Sequence, residues 1–145
     1  MAVFPSQEWF DEVRKVFNSN EEYHGAGGGA CETTFAVKVG GDIFQLVMEG
    51  LECTSASRID EDELKNMDFY LDMELDEWRE MIVNIKENDG ADLDWTLNTL
   101  DLDRDERLAK SVTGDQYRED LFFRFNQTLQ FFFDASARIE TEFGV

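Results

Sequence analysis

The stretch DFYLDMELDEWREMI, residues 68–82, passes from a strand into a helix and decides the fold. We predict a strand through residues 67–73 and a helix through residues 75–88. At the helical period of about 3.6 residues, the helix presents one apolar face, which comprises Leu75, Trp78, Met81, Ile82 and Ile85. Gly90 is expected to stop this helix, because glycine readily adopts the left-handed backbone found just past a helix end.

A run of strands is predicted before this unit. Residues 33–39, TTFAVKV, alternate apolar side chains with smaller or polar ones, which is the period of a strand. Gly40 and Gly41 predict a two-residue hairpin turn into the next strand, DIFQLVMEG, at residues 42–50. A third strand is expected through residues 51–59. These segments indicate an antiparallel meander.

Helices are predicted at both ends of the chain. Ser6 is the expected N-cap of a helix at residues 7–17. Residues 91–102 predict one more strand and residues 103–115 a charged loop. A last helix is expected from about Gln116 to Ile139, with an apolar stripe of Leu121, Phe122, Phe125, Leu129, Phe132, Phe133 and Ile139.

The composition limits the classes of partner. The 145 residues include 33 acidic and 13 basic side chains, so the formal net charge is −20. This charge repels the phosphates of nucleic acids and of anionic lipid surfaces, and no nucleic acid partner is expected. The 13 phenylalanines and 3 tryptophans, in a clear apolar pattern, favour a folded chain over a disordered one. We expect one domain, residues 1–145.

No membrane or export signal is predicted. The N-terminus lacks a basic segment followed by an apolar run. The longest uncharged stretch near the C-terminus, residues 125–133, is far shorter than the roughly 20 residues of a membrane-spanning helix. We therefore expect no integral membrane association and a cytoplasmic location.

A glycine-rich stretch invites a nucleotide-binding interpretation. GAGGGA, residues 25–30, fits the wording of the dinucleotide fingerprint. The fingerprint requires a strand before the glycines and a helix after them, whereas here a helix precedes and a strand follows. The stretch is therefore interpreted as a hinge, and no cofactor is predicted.

Metal sites have little support. His24 is the only histidine. Asp101, Asp103 and Asp105 match the first ligand positions of a calcium loop, but Glu106 stands where the loop needs glycine. We interpret these residues as a solvated acidic loop and predict no metal.

Catalysis has little support either. A cysteine–histidine pair would need Cys31 or Cys53 beside His24, and a cysteine in a strand is usually a small buried apolar residue. We predict no catalytic residue. The alternative is a general acid–base enzyme acting on an apolar substrate, with His24 or a desolvated carboxylate as its base.

The order of elements resembles the sterol-carrier-protein-like domain. In that family an Asp-led strand feeds an amphipathic helix, and a later Thr-Gly-Asn/Asp turn feeds a C-terminal helix. The matching residues are Asp68, Phe69, Leu71, Met73 and Trp78 in the first block, and Thr113, Gly114, Asp115 and Leu121 in the second. The resemblance implies an α+β fold, with a mostly antiparallel sheet of about five strands covered by N-terminal, middle and C-terminal helices.

The resemblance also implies an apolar tunnel that binds lipids, fatty acyl groups or sterol-like molecules. We expect non-enzymatic binding of an apolar or amphipathic small molecule. The predicted cavity wall comprises Phe122, Phe125, Leu129, Phe132, Phe133, Trp78, Met81, Met48 and Met73. At the cavity mouth, polar groups would orient a head group: Tyr23, His24, Cys31 and Tyr117. The plain alternative is that the stripe packs as ordinary core.

A second hypothesis concerns two rings on the polar side of the last helix. Phe123 and Phe131 lie off its apolar stripe and need a further partner. They would form the interface of a homodimer or of an enzyme complex. In that case the protein would be an interaction or accessory subunit.

Overall fold

The computed structural model describes residues 2–19, 32–50, 52–91, 96–97, 108–110, 122, 125 and 128–143. Within these ranges the chain has an α+β fold, as the sequence predicts. The strands are β1 (Ala2–Phe4), β2 (Thr33–Val39), β3 (Asp42–Glu49), β4 (Glu52–Arg58), β5 (Phe69–Met73), β6 (Ala109–Lys110) and β7 (Thr141–Phe143). The α-helices are α1 (Gln7–Ser19), α2 (Leu75–Asn88) and α3 (residues 128–134, with residues 122 and 125 also helical), and 3-10 helices span Glu61–Asn66 and Ala135–Arg138.

The main sheet has five strands in the order β4-β3-β2-β5-β6. β3 pairs antiparallel with β2 and with β4, β5 pairs antiparallel with β6, and β2 and β5 are parallel. The predicted mostly antiparallel sheet of about five strands is therefore confirmed. The predicted turn between β2 and β3 is confirmed as well, since Val39 and Asp42 face each other across it and Gly40 has a φ of +58°.

Alternation along the strands gives the sheet two different faces. The inner face carries large apolar side chains, such as Phe35 and Val37 of β2, and packs against the three α-helices in one core. The outer face carries a smaller cluster of Ala36, Ile43, Leu64 and Met67, to which the 3-10 helix Glu61–Asn66 contributes. The sheet is thus a middle layer, and the larger apolar volume lies on its helical side.

Helix α1 begins and ends with side-chain hydrogen bonds. At its start, the Trp9 N–H donates to Ser6 Oγ at 3.1 Å, which confirms the predicted N-cap. At its end, the Asn18 amide donates to the Cys53 carbonyl and accepts from the Cys53 N–H, both at 2.8 Å. Cys53 lies in β4 beside a bulge in the pairing of β3 with β4. Asn18 therefore fastens α1 to the bulged part of the sheet.

Substitution of Asn18 by alanine is expected to destabilise the fold. Both bonds to Cys53 would be lost, and its fully buried N–H would lack this partner. We expect the free energy of unfolding, measured in urea, to fall by about 1–3 kcal/mol. The matched control is Asn88→Ala, whose amide donates to the Asn84 carbonyl at an exposed position of α2; this substitution should change stability by about 0.5 kcal/mol or less. Equal effects of the two substitutions would contradict the role of Asn18.

Helix α2 has the predicted bounds, but the residue that takes the left-handed conformation after it differs from the prediction. Its four fully or nearly buried residues are Trp78, Met81, Ile82 and Ile85, all on the predicted apolar face. The left-handed residue at its C-terminus is Asp89, with φ 54° and ψ 42°, and the Gly90 N–H donates to the Ile85 carbonyl at 2.9 Å. The prediction that Gly90 is the stop is therefore off by one residue, because aspartate also tolerates the left-handed region.

The two ends of the chain meet in a short parallel pair of strands, β1 and β7. The Phe4 ring lies 4.8 Å from the Trp9 ring and 6.2 Å from the Phe143 ring, measured between centroids. The Trp9 indole N–H donates to Thr141 Oγ1 at 2.9 Å. This pairing is absent from the sequence predictions, because three-residue strands carry no measurable period.

The fifth strand of the sheet, β6, lies inside the predicted charged loop at residues 103–115. Most of the predicted strand at residues 91–102 lies outside the described residues, and Leu97 within that range is helical. Lys110 Nζ is 3.2 Å from Asp72 Oδ2 of β5, an ion pair that accompanies the pairing of these strands. A two-residue strand with one charged side chain is too short for a period-based prediction.

The last helix also ends earlier than predicted. Its expected end is Ile139, but the chain changes from α-helix to 3-10 helix at Ala135, and Ile139 is extended, with φ −118° and ψ 159°. Ile139 nevertheless packs against the core, as the residues of the predicted apolar stripe were expected to do.

Candidate ligand-binding site

The predicted cavity wall comes together in the core between the sheet and the helices. Eight of its members are buried: Met48, Met73, Trp78, Met81, Phe122, Leu129, Phe132 and Phe133. Phe125 is half-buried and packs against them. The sequence therefore predicted correctly that these side chains share one apolar region. Met67, another mid-chain methionine, lies in the separate cluster on the outer face of the sheet.

Trp78, Phe132 and Phe133 of this wall form a connected layer with Phe17 of α1. Phe133 stacks on Trp78 with centroids 5.4 Å apart and an interplanar angle of 30°, and Phe132 stands at 90° to Phe133. Phe132 also contacts Phe17 of α1 at 5.7 Å. Such pairs stabilise by about 0.5–1.5 kcal/mol beyond the area that they bury. The layer joins α3 to both other helices, and we call it the aromatic layer.

The aromatic layer also reaches the sheet. The Trp78 indole N–H donates to the Lys38 carbonyl of β2 at 2.9 Å. Phe122 meets Phe69 of β5 edge-on at 6.2 Å, and Phe69 stacks on Phe35 at 5.4 Å. Met48, Met73 and Met81 complete the apolar surroundings. These methionines are the adaptable part of the wall, because their unbranched side chains have several accessible rotamers.

Among the pockets on the surface of the described residues, two are lined by residues outside the predicted cavity wall. One, of about 490 Å³, is an open groove on the outer side of α2 beside Arg79 and Asn84. The other, of about 220 Å³, lies between α2 and residues 136–143. Sequence reasoning missed the second pocket, because its lining residues come from two segments, residues 82–87 and 136–143, that are far apart in the chain and share no motif.

Five predicted site residues lie outside the described part of the chain. Four belong to the predicted cavity mouth, Tyr23, His24, Cys31 and Tyr117, and the fifth is Phe123 of the predicted interface. Phe131 is half-buried and packs against the core, so part of its apolar surface is covered within the chain itself.

Cys53 is a poor nucleophile in this fold. It is fully buried, and burial raises the pKa of its thiol to about 12. Its Sγ donates to the Ser55 carbonyl at 3.5 Å. A thiol in this state is protonated at neutral pH, whereas nucleophilic attack requires the thiolate. Among the described residues there is also no group of three or more side chains suited to hold a metal ion.

A polar network borders the aromatic layer at the end of α3. The Gln130 amide donates to Asp134 Oδ1 at 2.9 Å, and the Ala91 N–H donates to the same oxygen at 3.1 Å. Gln130 Oε1 accepts from the Leu97 N–H at 2.6 Å. Burial raises the pKa of Asp134 above its ordinary value of 3.8, although these hydrogen bonds act in the opposite direction. The network ties α3 to the segment that follows α2.

We expect the ionisation of Asp134 to contribute to the pH dependence of the free energy of unfolding. Because its folded-state pKa is raised, the folded protein holds this proton more tightly, so its contribution favours folding at low pH and is lost as pH rises through the folded pKa. Relative to Asp134→Asn, the wild type should therefore lose stability as the pH rises above the ordinary carboxyl pKa of 3.8. Thermal unfolding of both proteins at a series of pH values measures the difference, and a relative gain of the wild type with rising pH would contradict the assignment.

No family model, curated protein or solved structure matches this chain. In the part of the chain that the structure describes, no helix has the length and apolar character needed to cross a bilayer.

Proposed function

We propose that this protein binds an apolar or amphipathic small molecule, of the lipid, fatty acyl or sterol-like kind, without converting it chemically. The observation that carries the proposal is the aromatic layer, in which the rings of α3 meet Trp78 and adaptable methionines. Phe125, a half-buried ring on the same helix, packs against the same core. We place the entry of the guest at this ring.

The chemistry of the aromatic layer favours binding over catalysis. The layer offers a guest apolar surface and no ionisable side chain, which suits a molecule that transfers out of water for hydrophobic reasons. Cys53, the described cysteine, is held as a protonated thiol by burial. Asp134, on the same helix, already uses its Oδ1 to accept hydrogen bonds from Gln130 and Ala91. The proposed binding therefore involves no chemical conversion of the guest.

A sterol-carrier-like architecture belongs to the same proposal. Its support is the arrangement in which β5 leads directly into α2 and α2 packs on the sheet, beside α3. In the proposed architecture, the tunnel would form between the sheet and the helices, in the region of the aromatic layer. Opening it requires the methionines and the rings of α3 to change rotamer, and methionine does so at low cost.

The net charge narrows the ligand class further. A protein of net charge −20 repels an anionic head group at long range. An uncharged amphipathic molecule is therefore favoured over a fatty acid anion of the same chain length.

Equilibrium dialysis against dodecan-1-ol, laurate and cholesterol tests the proposal. We expect at least one of these probes to bind, and dodecan-1-ol to bind more tightly than laurate. Phe125→Ala should weaken binding by roughly tenfold, because full burial of a phenylalanine side chain contributes about 1.5–3 kcal/mol and the guest would complete that burial. Half-burial of Phe125 keeps the cost to folding below that of a fully buried phenylalanine.

The matched control is Tyr70→Ala. Tyr70 is also a half-buried aromatic residue, but it packs in the cluster on the outer face of the sheet. This substitution should leave probe binding unchanged. Absence of binding by all three probes, or equal losses in the two variants, would contradict the proposal.

The alternative role as an interaction subunit has less support. It depends on Phe123 and Phe131 as exposed rings. Phe131 already packs against the core of its own chain.

A further inference from the structure

The smaller pocket combines an apolar wall with one buried hydroxyl. Its volume of about 220 Å³ lies between α2 and the C-terminal segment. Ile82 of α2 and Phe143 of β7 supply apolar surface, together with Val83, which is 38% exposed. Ser136 of the 3-10 helix Ala135–Arg138 also lines it. This pocket is separate from the aromatic layer.

The burial of the Ser136 hydroxyl is not explained by hydrogen bonds among the described residues. Its side chain is 2% exposed, and its Oγ is the buried side-chain polar atom without a hydrogen-bond partner among the described residues. A buried polar group without a partner costs about 1–3 kcal/mol, so buried hydroxyls are nearly always paired. A hydroxyl both donates and accepts. The missing partner can therefore be a single hydroxyl group located in the pocket.

Lys86 closes one side of this pocket rather than offering a free positive charge. Its Nζ donates to the Ala137 carbonyl at 3.0 Å and to the Ile139 carbonyl at 3.1 Å. The Glu140 carboxylate lies 3.7 Å from the same atom. Two of the three ammonium N–H bonds thus donate to carbonyl groups, and the Glu140 carboxylate balances the charge as an ion pair. The C-terminal segment is thereby held against α2.

The charges around the pocket disfavour an anionic ligand. Glu87 and Glu140 both line it, and the cation that faces them is Lys86. The net charge of −20 adds repulsion at longer range. A cationic ligand would gain from the carboxylates but would lose hydration against Ile82 and Phe143. An uncharged ligand avoids both costs.

The walls are fixed well enough to recognise a shape. The Arg79 guanidinium lies over the Phe143 ring at 5.1 Å from its centroid, and Phe4 meets the same ring edge-on. Ile82 is part of the main core. The volume exceeds that of cavities of about 150 Å³ that hold benzene in an engineered protein. One six-membered ring with a single polar substituent fits this space.

We infer that this pocket is a ligand site in its own right, which takes a small, uncharged, mostly apolar molecule with one hydroxyl group bonded to Ser136 Oγ. The site does not depend on the proposed function at the aromatic layer.

Calorimetric titration with phenol, toluene and benzoate tests the inference on the full chain. Toluene has the shape of phenol without its hydroxyl, and benzoate carries the charge that the pocket should reject. We expect phenol to bind roughly fivefold more tightly than toluene, and benzoate to bind more weakly than both. In Ser136→Ala the preference for phenol over toluene should disappear, while Tm stays unchanged or rises because an unpaired hydroxyl has been removed.

Two further variants complete the test. Val83→Trp should fill the pocket from its exposed side and abolish binding of both phenol and toluene. Ser57→Ala removes a half-buried serine hydroxyl of β4, away from the pocket, and should leave the phenol preference intact.

Three results would overturn the inference. The first is equal affinity of phenol and toluene for the wild type. The second is a lower Tm for Ser136→Ala, which would mean that the hydroxyl is already paired in the free protein. The third is phenol binding that survives Val83→Trp. Phe125→Ala should leave phenol binding unchanged, so failure at the aromatic layer and failure at this pocket are distinguishable.

Discussion

The fold depends on how Trp78 is held. Its ring is fully buried, stacks on Phe133 of α3 and donates its indole N–H to the Lys38 carbonyl of β2. One side chain of α2 therefore contacts both the sheet and the last helix. Without its hydrogen bond the indole N–H would be a buried polar group at the centre of an apolar core, which is costly. The position of α2 on the sheet, and of α3 beside α2, follows from this constraint.

Among the described residues, no aspartate or glutamate is fully buried in that core. Described cations pair with some of these carboxylates: Arg14 lies 2.7 Å from Asp11, and Arg58 lies 2.7 Å from Asp42. With 33 acidic and 13 basic residues, most carboxylates have no cation to pair with. Such a surface favours solubility and repels anions. The same charge distribution directs both proposed sites toward uncharged ligands.

Strong local patterns made much of the fold predictable from sequence. Alternation in β2, the Gly40–Gly41 turn and the apolar face of α2 each give a clear period over several residues. The convergence of the predicted cavity wall followed from the same patterns, because apolar faces of neighbouring elements must pack together. Whether that wall separates around a guest depends on packing and rotamers, which no sequence period encodes.

The features that sequence reasoning missed lack a local signal. β1 pairs with β7 from the opposite end of the chain, and β6 has only two residues. Asp89, rather than the neighbouring glycine, takes the left-handed position after α2. Ser136 is ordinary in sequence, and its burial beside a pocket arises only when the C-terminal segment closes against α2.

We propose that the aromatic layer separates to admit an apolar guest. The two described tryptophan indole N–H groups report on it independently, because Trp78 bonds to Lys38 and Trp9 bonds to Thr141 near the chain ends. Indole signals of the nitrogen-15-labelled protein, recorded by NMR during titration with dodecan-1-ol, are the direct measurement. If the aromatic layer opens, the Trp78 signal should shift and the shift should saturate, while the Trp9 signal should stay unchanged. An unmoved Trp78 signal at saturating alcohol, or equal shifts of both, would contradict this proposal.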